Sequence, residues 1–73
     1  MKKVFRLEDL DCAHCAAKIE DAIAKLDGVT LAQVNFLSQK LVLEADDDKF
    51  EAALKQTQDI IKRIEPDCRL LVK

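Results

Sequence analysis

Lys3-Val4-Phe5-Arg6-Leu7-Glu8-Asp9-Leu10-Asp11-Cys12-Ala13-His14-Cys15-Ala16-Ala17-Lys18-Ile19 reads as a strand, a short loop and the start of a helix. From Lys3 to Glu8 the residues alternate, with Phe5 and Leu7 on one face and Val4, Arg6 and Glu8 on the other. A period of two predicts a half-buried strand. From Ala13 to Leu26 the apolar positions Ala16, Ile19, Ala22, Ile23 and Leu26 recur at helical spacing, while Lys18, Glu20, Asp21 and Lys25 take the opposite face. Gly28 is the one glycine of the chain and suits a cap at the C-terminus of that helix. Between strand and helix lie two thiols, Cys12 and Cys15.

The downstream half repeats the plan. Val29 to Leu37 alternates, with Ala32, Val34 and Phe36 pointing one way. Ser38-Gln39 is a candidate hairpin turn, although neither residue favours positive φ as Gly or Asn would. Lys40 to Ala45 forms the next strand, with Leu41 and Leu43 inward. Asp46-Asp47-Asp48 precedes a helix and is expected to cap it and complement its dipole. The run lacks the longer, glycine-bearing loop of a calcium site. Phe50, Ala53, Leu54, Thr57, Ile60, Ile61 and Ile64 form an amphipathic stripe that Pro66 ends. Cys68, Leu70 and Val72 share one face of a final strand, with Arg69 and Lys73 on the other.

This order, strand-helix-strand-strand-helix-strand, predicts a single α+β domain over residues 1–73. Its economical arrangement is the ferredoxin-like sandwich, a four-stranded antiparallel sheet with two helices on one face. That topology sets the loop Glu65-Pro66-Asp67-Cys68 beside Cys12 and Cys15.

Composition removes several functions. With 12 basic and 14 acidic residues the net charge is −2, and the basic residues are scattered. A nucleic-acid binder needs a basic patch. No apolar run approaches the ~18 residues that span a bilayer, and the N-terminus lacks the ~7–15 apolar residues of a secretion signal. The chain is therefore read as facing the cytoplasm. Three cysteines do not make an even disulfide scaffold, and in a reducing compartment such thiols serve metals or catalysis.

The unpaired amides and dipole of a helix start favour a thiolate. A Cys-x-x-Cys pair there can converge on one metal ion, form a redox-active disulfide ring, or simply fill space as two small apolar residues. A four-ligand zinc ribbon would need a second Cys/His pair, and the chain holds one further Cys and one His. The chain also lacks the length and substrate-binding segments of a thioredoxin-like fold. His14, between the thiols, is expected to point into solvent. Asp11 is either an oxygen ligand for a borderline divalent ion or the helix N-cap. Cys68 has the parity of a core residue but lies at the thiol end, where it could supply a third thiolate. Glu65 and Asp67 are further oxygen candidates.

Leu10-Asp11-Cys12-Ala13-His14-Cys15-Ala16-Ala17-Lys18-Ile19-Glu20, followed by Leu26-Asp27-Gly28-Val29 and Val34-Asn35-Phe36, resembles the heavy-metal-associated domain over essentially the whole chain. The resemblance implies a β-α-β-β-α-β fold and one metal ion bound by Cys12 and Cys15 on an exposed loop. Copper-type members commonly carry Met where this chain has Leu10, Thr or His where it has Asp11, and a Gly-Tyr pair where it has Glu65-Pro66. The Asp-Cys-x-x-Cys start and the Ile64-Glu65-Pro66-Asp67 ending look like the zinc/cadmium/lead-exporting P-type ATPases. That likeness implies a non-catalytic, monomeric module that takes Zn2+, Cd2+ or Pb2+. Its partner would be the rest of a pump or a metallochaperone. A Cu(I) chaperone or copper-pump domain is the alternative, and a small thiol-disulfide redox module is the alternative of a different class. Cys68 falls outside the family motif.

Overall fold

A computed structural model describes residues 1–71. Its elements are β1 (Lys2–Glu8), α1 (Ala13–Ala24), β2 (Val29–Asn35), β3 (Lys40–Ala45), α2 (Phe50–Ile64) and β4 (Arg69–Leu71). The sheet order is β2-β3-β1-β4, with every neighbouring pair antiparallel. Both helices bury their apolar stripes against one face of this sheet, the expected ferredoxin-like sandwich. Val72 and Lys73, expected at the end of the last strand, lie outside the described residues.

The periodicities explain the core. Phe5, Leu7, Leu41, Leu43 and Ala45 point inward from alternate strand positions. They meet Ala16, Ile19 and Ile23 of α1 and Phe50, Ala53, Thr57 and Ile61 of α2. The rings of Phe5 and Phe50 stack with centroids 6.5 Å apart. Thr57 is fully buried, and its hydroxyl donates to the Ala53 carbonyl one turn back over 2.8 Å, so no polar atom is stranded. Strand β2 lies at the edge of the sheet. There the Glu20 carboxylate of α1 accepts from the Val34 amide over 2.8 Å and covers part of that edge.

Two boundaries, one cap and one turn differ from the sequence expectations. Helix α1 ends at Ala24, and its C-cap is Lys25 rather than Gly28. The chain leaves through bonds from the Leu26 amide to the Ile23 carbonyl and from the Val29 amide to the Leu26 carbonyl, tight three-residue steps that keep Leu26 against the core. Strand β2 ends at Asn35 rather than Leu37, because the Asn35 side chain accepts from the Ser38 amide over 3.0 Å and starts the turn early. Leu37 is left 91% exposed. The acidic run does not cap α2: Lys49 holds the N-cap position with no side-chain bond, and Asp47 instead meets the Met1 ammonium over 2.8 Å. Finally, Gln39 does take a positive φ, 56°, although glutamine has no intrinsic preference for it.

Gly28 is needed where it stands. Its φ is +84°, and a β-carbon there would fall 2.6 Å from Cδ and 2.8 Å from Cβ of Lys49. Gly28→Ala is therefore expected to cost about 2 kcal/mol, combining left-handed strain with a collision that the root of the Lys49 side chain cannot avoid. Thermal unfolding should move down by about 8–16 °C.

Candidate metal centre

Cys12 sits at the junction of loop and helix. It is the N-cap of α1, with extended backbone at φ −123° and ψ 112°, and its Sγ accepts from the Cys15 amide over 3.1 Å. Of the two roles open to Asp11, the cap is thus taken by the cysteine one residue later. Asp11 is exposed and outside the helix start. Helix α1 starts at Ala13, so residue 12 is its N-cap and Asp11 lies one position further out. The Ala16 amide then closes the first turn on the Cys12 carbonyl over 3.0 Å.

The two sulfurs differ electrostatically. Cys12 is pulled below the ordinary thiol range, first by the hydrogen bond from the Cys15 thiol and then by the bond from the Cys15 amide. Cys15 is pushed up to about 11, first because its proton is held by Cys12, then by desolvation and by a hydrogen bond to Glu65. The two sulfurs therefore differ in how tightly they hold a proton, Cys12 less and Cys15 more, at a helix start where the dipole favours negative charge. Both residues are half-buried, and His14 between them is exposed, as its position suggested.

The second loop arrives where the topology placed it. Glu65 terminates α2, its amide bonded to the Ile61 carbonyl over 2.8 Å, and Pro66 prevents further helix. The Glu65 carboxylate bears on Cys15, Cys12 and Cys68 alike. Asp67 is exposed. Cys68 is 3% exposed and belongs to the core cluster, although it also borders a groove of about 460 Å³ between α2 and β4. Burial, then the nearby Glu65, Asp9 and Asp11 carboxylates, push its thiol up, so it stays protonated and apolar at neutral pH. Among the described residues no three His, Cys, Asp or Glu side chains are already gathered in metal-holding geometry. The arrangement brings together two sulfurs and the Glu65 carboxylate, while the Asp11 carboxylate is felt at Cys68.

Two contributors carried little sequence signal. Leu10 is 2% exposed and anchors the thiol loop in the core. Gln39, 29 residues away, exchanges two hydrogen bonds with the Leu10 backbone. A turn glutamine has no periodic pattern to reveal it. The sole hint was a glutamine at a hairpin position where Gly or Asn would turn more readily.

Comparison with known proteins agrees with this geometry. The heavy-metal-associated domain profile matches residues 4–67. The zinc/cadmium/lead-transporting P-type ATPase of Escherichia coli (strain K12) is 42% identical over 55 residues, 71% of this chain. The chain spans 8% of that ATPase's length. Copper chaperone CopZ of Staphylococcus aureus (strain bovine RF122 / ET3-1) is 33% identical over 61 residues, covering 84% of this chain and 87% of the chaperone. The solution structure of the N-terminal domain of ZntA in the Zn(II)-form superposes with a TM-score of 0.72 at 31% identity, covering 96% of this chain and 88% of that one. With the fold, the paired thiols at the start of α1 and a match across nearly all of its length, this chain belongs to the heavy-metal-associated domain family.

Proposed function

We propose that the chain binds one borderline or soft divalent ion, Zn2+, Cd2+ or Pb2+, through Cys12 and Cys15. It then passes the ion to, or regulates, a metal-exporting P-type ATPase. The observation that carries this reading is the pair of sulfurs flanked by carboxylates, Asp11 before Cys12 and Glu65 against Cys15. Two thiolates suffice for Cu(I), whereas zinc-like ions take more ligands and accept carboxylate oxygen. Asp11 is the proposed oxygen ligand, with Glu65 able to swing from the Cys15 thiol to the ion. Cys68 is proposed as a core residue that joins the ligands only if the loop 65–68 opens. The module acts as a monomer on the cytoplasmic side and holds the ion without catalysis. No helix of the described residues is long and apolar enough to cross a membrane.

The likeness to CopZ, which extends over most of that chaperone, supports a second reading as a Cu(I) carrier. Anaerobic titration separates the two. Asp11→Ala is expected to weaken Zn2+ binding roughly tenfold or more, because even partners outside the ligand sphere are typically worth 10–100-fold. Cu(I) affinity should stay within about twofold, since both sulfurs remain. Unchanged Zn2+ affinity in Asp11→Ala, with Glu65→Gln equally silent, would remove the divalent reading. Disulfide reduction catalysed by the protein would instead favour a redox module.

A further inference from the structure

The hairpin between β2 and β3 reaches the thiol loop through one side chain. The β1–β3 ladder keeps register as far as Arg6 and Lys40, and the Leu7 amide adds one more bond to the Gln39 carbonyl over 2.8 Å. The first strand then turns away at Asp9, whose φ is 62°. There the Gln39 side chain takes over from the backbone. Its Oε1 accepts from the Leu10 amide over 3.0 Å. Its Nε2 donates to the Leu10 carbonyl over 2.7 Å and to the Phe36 carbonyl over 2.9 Å. The carboxamide imitates a strand residue and closes a two-bond ring on Leu10. Leu10 is buried, so without that ring its amide and carbonyl would face the interior unpaired. Glycine would adopt the φ of 56° with less strain, but it could not reach Leu10.

We propose that Gln39 is a positioning residue for the metal centre. It fixes Leu10, two residues ahead of Cys12, so that the loop meets α1 with Cys12 Sγ on the Cys15 amide and both sulfurs aimed at one point. Helix α1 orders the loop from its C-terminal side. Among the described residues, the Gln39 ring and the buried Leu10 side chain order it from the other. This assignment rests on the reading of Cys12 and Cys15 as ligands.

The test is anaerobic Cd2+ titration, followed by sulfur-to-cadmium charge-transfer absorption, together with thermal unfolding. The proteins are wild type, Gln39→Gly, Gln39→Glu and Cys15→Ser. Gln39→Gly removes the side chain while relieving the left-handed φ, so it separates positioning from stability. Relief of the left-handed φ offsets part of the cost of the lost bonds, so its unfolding temperature is expected to fall by only a few degrees while Cd2+ affinity falls about tenfold, the low end for partners that orient metal ligands. Gln39→Glu keeps the acceptor for the Leu10 amide and loses both donated bonds, and its affinity should fall between the two. A Gln39→Gly protein whose Cd2+ affinity stays within about twofold of wild type overturns the proposal. If that variant unfolds early, Gln39→Glu decides, and wild-type affinity there overturns the proposal equally. Cys15→Ser marks the separate failure: should it bind Cd2+ like wild type, the metal reading itself falls, whatever Gln39 does.

Discussion

Cys12→Ser and Cys15→Ser are each expected to weaken Cd2+ binding by roughly a hundredfold or more, yet to leave different marks on the fold. Each substitution replaces a soft anionic sulfur by a neutral hydroxyl that a thiophilic ion binds poorly. Cys12 also caps α1 through its sulfur. Serine is among the best N-capping residues, so Cys12→Ser should keep the cap and unfold at or above the wild-type temperature. Cys12→Ala has nothing to offer the Cys15 amide, and its unfolding should come about 4–8 °C earlier. Metal affinity and thermal stability measured on the three variants therefore separate the two duties of residue 12. Equal unfolding temperatures for the serine and alanine variants would deny the capping duty. Retained Cd2+ affinity in either serine variant would deny the ligand duty.

The second large effect is on pH. Cys15 is pushed up to about 11 by the bond to Cys12, by desolvation and by Glu65, so it carries its proton at pH 7. An ion that coordinates it must displace that proton. Affinity should therefore rise with pH across the whole neutral range, about tenfold per unit for each proton released. The sign is fixed by the raised value: below about 11 the free protein holds the proton and the complex does not. Cys12 is shifted the other way, first by the hydrogen bond from the Cys15 thiol, so it contributes less than Cys15 to proton release. Competition titrations at pH 6 and pH 8 should thus differ by about a hundredfold or more, with proton release seen calorimetrically through buffer dependence. A flat profile would mean that the sulfurs do not bind as thiolates.

The alternations of β1 and β3 and the stripe of α2 carried the architecture into the sequence, because burial on one face imposes a period that few mutations can hide. The same logic placed the loop 65–68 at the thiol end, since a helix returning from β3 has to finish there. Details governed by single hydrogen bonds were not legible. Asp11 and Cys12 are both chemically able to cap, and the start of α1 at Ala13 gives the position to Cys12. Asp46, Asp47 and Asp48 have the composition of a cap without the geometry. Gly28 signalled a left-handed residue correctly, but that residue lies in the descent after α1 and not at its cap. The Gln39 bonds depend on where a long side chain ends in space, which no spacing rule encodes.

Strand β1 lies between β3 and β4, both of which follow it in the chain. During synthesis the thiol loop therefore emerges well before anything can hold it. Helix α1 can begin to form locally, but the partner of Leu10 is 29 residues further on, in the turn that leads into β3, a strand that must itself find β1. Non-local pairing of this kind is completed late in folding. The two thiols are thus made early and held late: Gln39 bonds Leu10 only once the β2–β3 turn is complete, and Glu65 reaches Cys15 only once α2 is complete.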